Sequence, residues 1–365
     1  MGLRLMMTAD AVGGVWTYAL DLARGLADVG GETTLVVQGP ALSADQARAA
    51  KAVPALEVIE TGSPLDWTAE TPGEIEAAGR RVRDLARELR PDMIHLNSPA
   101  QAAVGGFPAP VLGACHSCLA TWWTAVKSGP APADFAWRTA ALRAGLAACD
   151  ALVAPSRSFA RATAAAYPGV RPLVVHNGRR SGPAGPEIRE PMVFTSGRLW
   201  DEGKNLATLD AAAALCATPL YAAGPLEGPS AADRLRPSHL RPLGRLSADE
   251  VAAWLRRAPI YASSALYEPF GLGVLEAAQA GCALVLADIA SFRELWRGAA
   301  VFVAPREPQA FADAFAALLE DPDRRVRMGE LARRRAELFT VEAMTRGMLS
   351  LYARLGAAPR SEAAA

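Results

Sequence analysis

The feature that most constrains this chain is a series of short apolar runs, most of them without polar alternation. In the first half they fall at residues 3–7, 33–37, 56–59, 93–96, 111–114, 151–154 and 173–176. A strand covered on both faces has no solvent side, so it reads as a continuous apolar run. Helical stretches rich in Ala, Leu and Arg lie between the runs. Residues 15–28 place Val15, Leu22 and Leu26 near one face, and residues 74–90 place Ile75, Val82, Leu85 and Leu89 on another. Repeated strand–helix–strand units of this kind build a doubly wound parallel sheet.

The pattern stops at residues 178–191, GRRSGPAGPEIREP, which are rich in Gly, Pro and charge and lack an apolar period. That is a linker signature. Apolar runs resume at 193–196, 220–222, 240–243, 260–262, 283–287 and 301–303. A chain of 365 residues has room for two domains of about 150 residues each. The expected fold class is therefore α/β, with two Rossmann-like doubly wound domains facing a central cleft. Ligands favour such interfaces and the carboxyl ends of parallel strands. The tail, roughly 308–357, reads as helical, and the terminal SEAAA as frayed.

Charge and cysteine usage narrow the function classes. Lys plus Arg and Asp plus Glu are each 38, and zero net charge argues against a protein built to grip nucleic acid. No run of about 18 apolar residues is present, so no membrane-spanning helix is expected. The opening MGLRLMMTAD lacks a charged region followed by an apolar one. Five scattered cysteines, 115, 118, 149, 216 and 282, suit reduced thiols better than a disulfide framework. The expected location is cytoplasmic.

Four motifs each follow an expected strand. Glu268-Pro269-Phe270-Gly271-Leu272-Gly273 opens a helix to about Ala280, with Glu276 inside it. Pro269 suits a helix first turn. Gly271 and Gly273 leave backbone N–H groups uncovered for a phosphate, while Glu268 and Glu276 can accept from sugar and ribose hydroxyls. The alternative is a cap at Glu268 and a surface residue at Glu276. The loop GRLWDEGKN, residues 197–205, brackets a turn with Arg198 and Lys204. Two cations there can neutralise a diphosphate and stabilise its departure, or simply pair with Asp201 and Glu202. Gly13-Gly14 suits a phosphate-type turn or a plain tight turn, without a full G-x-G-x-x-G. His116 ends the run VLGAC, where a neutral imidazole can bond a sugar hydroxyl or a developing leaving group, or serve structure alone. Its neighbours Cys115 and Cys118 form a lone C-x-x-C, weak for zinc.

Other features read more plainly. Asn177-Gly178 suits a turn at the domain junction. Trp122, Trp123, Phe135 and Trp137 occupy a stretch expected to be irregular, where they either stack on an acceptor or pack a loop. Arg80, Arg81, Arg83, Arg87 and Arg90 alternate with Glu74, Glu76, Asp84 and Glu88, as on a solvated face. Peripheral membrane contact is the lesser reading of that helix.

Taken together these residues resemble glycosyltransferase family 4, the retaining, group 1 glycosyltransferases of GT-B fold. The resemblance runs over nearly the whole chain. It is carried by Gly13-Gly14, CDALVAPS (149–156), His176-Asn177-Gly178, the loop 197–205, the E-x7-E run from Glu268 to Glu276, and ADIASFRE (287–294). It implies that Arg198 and Lys204 bind the donor diphosphate, Glu276 the ribose and Glu268 the transferred sugar. It further implies that amides near Phe270, Gly271 and Leu272 assist the phosphates, that Gly13-Gly14 approaches the diphosphate, and that His116 faces the sugar. The implied catalytic group is Glu268, His116, Arg198 and Lys204. Residues 1–178 would form an acceptor-side domain, 179–191 the linker and 192–341 the donor domain. A last helix at about 342–358 would pack back on the first domain. Two departures stand out: Arg179-Arg180 follow Asn177-Gly178 where many members carry an apolar residue and then Asp, and six positions separate Arg198 from Lys204 where shorter gaps are frequent.

The resemblance thus implies a hexosyltransferase-type enzyme using a UDP-, GDP- or ADP-sugar, with no cofactor and no metal. Its acceptor would be a glycan, glycolipid or small molecule, as in polysaccharide biosynthesis, with peripheral contact at the inner face of the membrane as a further expectation. The alternatives are a sugar-nucleotide epimerase or hydrolase on the same fold, and a non-catalytic nucleotide-sugar binder.

Overall fold

A computed structural model describes residues 2–180, 182, 189–228 and 235–357. Most of the expected linker, residues 181 and 183–188, and the SEAAA terminus lie outside the described residues. The chain divides into two compact units, Met1–Gly178 with Val341–Ala365, and Arg179–Thr340.

The first unit holds seven strands: β1 (Arg4–Asp10), β2 (Glu32–Gln38), β3 (Leu56–Glu60), β4 (Met93–Leu96), β5 (Val111–Ala114), β6 (Ala151–Ala154) and β7 (Leu173–Val174). They form one parallel sheet in the order β3-β2-β1-β4-β5-β6-β7. Met7 on β1 stands opposite both Leu35 on β2 and His95 on β4. Every residue of β4 and β5 is buried, which is why these strands showed no alternation. The last strand is shorter than the expected run, because pairing with β6 stops at Val174.

The second unit repeats the plan with β8 (Val193–Ser196), β9 (Leu220–Ala223), β10 (Arg241–Gly244), β11 (Ile260–Ser263), β12 (Ala283–Ala287) and β13 (Val301–Val303). Its order is β10-β9-β8-β11-β12-β13, again parallel. Numbered from its own first strand, it matches the first sheet as 3-2-1-4-5-6. In both, the order reverses beside the first strand, and a ligand crevice opens at such a switch point.

Helix placement follows local sequence. Ser43 and Ser247 each start a helix with a capping box, closed by Gln46 and Glu250. Helix Gly14–Ala27 buries Leu22 and Leu26 of the expected face, together with Trp16 and Tyr18, while Val15 near its start is only half-buried. Helix Val341–Arg354 belongs to the first unit and crosses that helix at Gly25, where a Cβ would lie 2.0 Å from Thr345 Oγ1. Only a residue without a side chain allows that approach.

Several expectations need correction. The stretch bearing Trp122, Trp123, Phe135 and Trp137 is not irregular: it forms helices Leu119–Val126 and Ala133–Ala148. Trp123 and Phe135 meet edge to face across them, 5.4 Å between centroids. The helix after the EPFG run begins at Leu272, so Pro269 lies in the preceding loop rather than in a first turn. At the end of the expected linker, Arg189 donates to the carbonyls of Leu255, Ala258 and Ala280, and Arg257 pairs with Glu190 at 2.6 Å, so residues 189–190 are built into the second unit. On helix Pro72–Leu89, Arg80 pairs with Glu76, and Arg83 and Arg87 with Asp84, as on a solvated face.

Candidate active site

In the second unit, loops leaving β8 and β11 are joined before any side chain meets. Arg198 Nη2 donates to Asp201 Oδ2 at 3.0 Å, and Arg198 lies 5.7 Å from the Trp200 ring centroid. Asp201 Oδ1 accepts from Gly203 N–H at 2.8 Å and winds Glu202–Lys204 into one 3₁₀ turn. That turn takes up the long Arg198–Lys204 spacing. Asn205, at φ +52°, ends it and donates to the carbonyls of Ser264 and Pro305 at 3.0 and 2.7 Å. The Gly203 carbonyl accepts from Leu266 and Tyr267 N–H, at 2.9 and 3.2 Å. This stitching brings Lys204 Nζ to 2.5 Å from Glu268 Oε2, with side chains 23% and 17% exposed. Both groups therefore keep an open side for a ligand.

The Glu268–Gly271 loop is held from below. Ser291 Oγ donates to the Glu268 carbonyl at 2.5 Å. Phe270 is buried and meets Phe339 edge to face at 5.6 Å, so its side chain anchors the loop. Gly271 stands at φ +91° as N-cap of helix Leu272–Gln279, and a Cβ there would press on Phe292 at 3.1 Å and Glu268 Cγ at 3.3 Å. No side chain caps this helix, which excludes the capping alternative for Glu268. Its first-turn N–H groups and the positive end of its dipole suit an anion.

Glu276, about one turn along, is not a lone surface carboxylate. Arg179 Nη2 lies 2.7 Å from Glu276 Oε1. The Arg179 N–H donates to the Phe339 carbonyl at 3.1 Å, and Gln279 Nε2 donates to the Arg179 carbonyl at 3.0 Å. Arg179 is thereby pinned by backbone and side chain to the face that carries Glu276. Beneath the helix, Tyr261 is buried, with its hydroxyl 3.2 Å from Ser196 Oγ. Burial, with Glu276 and Glu268 nearby, pushes its phenol well above the usual range and keeps it neutral.

The first unit presents different chemistry at its carboxyl ends. Gly13, at φ +102°, precedes helix Gly14–Ala27, and nothing lies within 4 Å of where its Cβ would be. Both glycines are exposed, so the turn is open to a ligand. His116 follows β5. Its Nε2 bonds Asn97 Oδ1 at 2.7 Å, and its ring packs edge-on against Tyr18 at 4.5 Å. Burial lowers its pKa to about 4. Deeper in, His95 Nδ1 bonds the Tyr352 hydroxyl at 2.7 Å, and burial lowers its pKa to about 3. Cys115 and Cys118 are free thiols, and among the described residues no three His, Cys, Asp or Glu side chains converge as metal ligands.

The structure thus brings Lys204 and Glu268 together and seats Glu276 on the same helix as the Gly271 turn. It also supplies partners the sequence reading passed over. Asn97 follows β4 just as His116 follows β5, and its position at a strand end was the available signal. Arg179 stood out only as a departure from a familiar pattern.

With that geometry in view, the comparisons give a class. The model for "Glycosyltransferase Family 4" matches residues 12–180, and that for "Glycosyl transferases group 1" matches residues 189–335. The chain belongs to the family 4, group 1 glycosyltransferases, and its fold is GT-B. It is similar to D-inositol 3-phosphate glycosyltransferase of Corynebacterium glutamicum, 35% identical over 105 residues, 28% of this chain and 25% of that protein. It is also similar to glycogen synthase of Mycobacterium tuberculosis, 38% identical over 95 residues, 26% and 23% of the two chains. These matches span about a quarter of the relatives' length. Among solved structures, sucrose-phosphate synthase from Thermosynechococcus elongatus superposes with a TM-score of 0.79 at 18% identity, over 98% of this chain and 100% of that one. Anabaena HepE, solved with UDP and glucose, gives 0.73 at 18%, over 97% and 100%. Among the described residues no helix is long and apolar enough to cross a membrane.

Proposed function

We propose that this chain transfers a hexosyl group from a nucleoside-diphosphate sugar to a hydroxyl of a glycan, glycolipid or small-molecule acceptor, with retention at the anomeric carbon and without a metal. The observation that carries this reading is the Lys204–Glu268 pair, 2.5 Å apart, beside the uncapped helix at Gly271. A cation and open amides suit a diphosphate, and a carboxylate beside them suits sugar hydroxyls. Relatives that act on sugars, and a neighbour of the same fold solved with UDP, support it.

In this reading the bond from the anomeric carbon to the phosphate oxygen breaks with its electron pair going to that oxygen, the acceptor oxygen bonds that carbon, and the acceptor's proton passes to the departing diphosphate. Lys204 and Arg198 meet the charge gathering on the departing diphosphate, as a metal does elsewhere. Glu276 accepts from ribose hydroxyls, Glu268 from the sugar, and Gly13-Gly14 gives backbone access to the phosphates. The donor base is uracil, guanine or adenine. The working location is the cytoplasm, with peripheral contact at the inner membrane face.

Thermal stability with UDP, GDP, ADP, CMP and NADH, repeated with EDTA, tests this. One nucleoside diphosphate should raise the midpoint and keep doing so with EDTA. A rise with NADH alone would overturn the reading, and a rise lost on chelation would remove its metal-free clause.

A further inference from the structure

We infer that Asn97 is a positioning residue that locks His116 as the Nε2–H tautomer, so that Nδ1 faces a ligand only as a hydrogen-bond acceptor. The inference rests on the transferase reading only for the ligand's identity. The lock itself comes from geometry in the first unit.

The backbone ladder between β1 and β4 runs through Met7 opposite His95. Just beyond it, Asn97 takes over the pairing. Its N–H donates to Thr8 Oγ1 at 2.9 Å, and its Nδ2 donates to the Thr8 carbonyl at 2.6 Å. A carbonyl only accepts, so the Asn97 amide cannot be turned over without setting oxygen against oxygen. Its Oδ1 is then fixed toward His116 Nε2 at 2.7 Å. An amide oxygen also only accepts, so Nε2 must carry the hydrogen. In a neutral ring the lone pair then sits on Nδ1. Edge-on packing against Tyr18, itself 1% exposed, holds the ring plane. Thr8 is likewise 1% exposed, so the chain of bonds begins in the core rather than on a mobile surface.

Burial favours the neutral ring, with the pKa lowered to about 4. The titratable groups packed about it, Tyr18 and His95, are neutral too. Near neutral pH, Nδ1 can therefore take a hydrogen bond from a hydroxyl and cannot give one to a departing phosphate. The sequence reading left both uses open, and the Thr8–Asn97–His116 chain selects the first. The ligand chemistry is a neutral hydroxyl, of either the transferred sugar or the acceptor.

The test is a long-range 1H–15N correlation spectrum of the full chain labelled with 15N-histidine. There are 4 histidines, and His116 is assigned by its absence in His116→Gln. Between pH 6 and 8, Nε2 should show the protonated, pyrrole-type signal and Nδ1 the bare, pyridine-type one. An Nδ1–H tautomer, or an imidazolium in that range, overturns the inference. In Asn97→Asp the carboxylate should raise the His116 titration by about one to three pH units, and an unmoved titration overturns it. Asn97→Ala should leave a mixture of tautomers, and retention of a single Nε2–H form would show that Asn97 sets nothing.

Three ligands then separate the sources. Addition of UDP-glucose, GDP-mannose or ADP-glucose, but not the bare diphosphate, should shift Nδ1 without protonating it if the hydroxyl belongs to the transferred sugar. A shift that appears only when free glucose or inositol joins the diphosphate marks the acceptor. A bound sugar nucleotide and acceptor that leave Nδ1 unmoved, or protonate it, overturn the ligand clause. Failure of every nucleotide sugar to bind refutes the transferase reading, while the tautomer in the free protein still upholds the lock.

Discussion

The two sheets share one strand order yet end in opposite chemistry. At the carboxyl ends of β8 and β11 the side chains are ionic: Lys204 on Glu268, Arg198 on Asp201, and Arg179 on Glu276. At the carboxyl ends of β4 and β5 they are neutral, Asn97 and His116, backed by Thr8 and Tyr18, while Asp10 at the end of β1 accepts from the Val12 N–H at 2.9 Å. Topology determines where a crevice opens and leaves its charge to the loops. The Lys204–Glu268 pair, with side chains 23% and 17% exposed, can exchange partners with a diphosphate, because water and ligand still reach it. The amide–imidazole pair, although only partly buried itself, is tied through Asn97 to the buried Thr8, so breaking it leaves polar groups unpaired at a cost. The first kind of site suits an anion that arrives and leaves, and the second suits the orientation of hydroxyls.

The contrast can be broken at several points. Lys204→Ala should cut turnover with the matching donor by about 10²–10³-fold, the usual cost of removing a preorganised charge at a leaving group. Steady-state kinetics read this, and unchanged rates would remove phosphate from the account of the second unit. The neutral first unit should reveal itself through pH. The folded-state pKa values of His95 and His116 lie near 3 and 4, below the ordinary 6.5, so the unfolded chain takes up protons first. The stability they contribute is complete above about pH 6.5 and is lost as pH falls from there toward 4, by at most about 1.4 kcal/mol per pH unit for each histidine. Urea unfolding at pH 5, 6 and 7.5 measures the slope, and a flat profile would mean that the imidazoles are not held neutral.

Smaller effects sharpen the picture. Gly25→Ala sets a methyl 2.0 Å from Thr345 Oγ1 and 2.8 Å from Val341 Cγ1. It should cost about 1–3 kcal/mol through overpacking between helices Gly14–Ala27 and Val341–Arg354. Chemical denaturation checks this, and full stability would show that the last helix can slide. At the small end, Asp288→Asn breaks the Arg293 pair, whose side chains are 45% and 40% exposed. Exposed pairs contribute little, so the unfolding midpoint should not move. A clear drop would mean that this surface pair supports the β12 loop, and the ionic character of the second unit would then be structural as well as functional.

Much of this was legible in the sequence. The apolar runs marked each described strand, most plainly where burial on both faces leaves no polar alternation, as in β4, β5 and β12, and least so in the more exposed edge strands β3 and β10. Glu268, Glu276, Arg198 and Lys204 were visible because each follows a strand, where parallel sheets bind ligands. The partners were not visible. Arg179 lies 97 positions from Glu276, and Asn97 lies 19 from His116. No local period relates residues so placed. Nor did the sequence show that the residues bearing Trp122 and Phe135 are helical, because their apolar side chains pack helix on helix without a clean amphipathic face.

The sequence by itself determined the class of fold, the restart after residue 191 and the residue types at the strand ends, because all three follow from short-range patterning. Tertiary structure alone decided which of those residues meet. Lys204 reaches Glu268 because Gly203 and Asn205 tie one loop to its neighbour. His116 is an acceptor at Nδ1 because a carbonyl on β1 fixes an amide after β4, which in turn fixes an imidazole after β5. Hydrogen bonds across strands depend on register and distance, and those exist only once the sheet has formed.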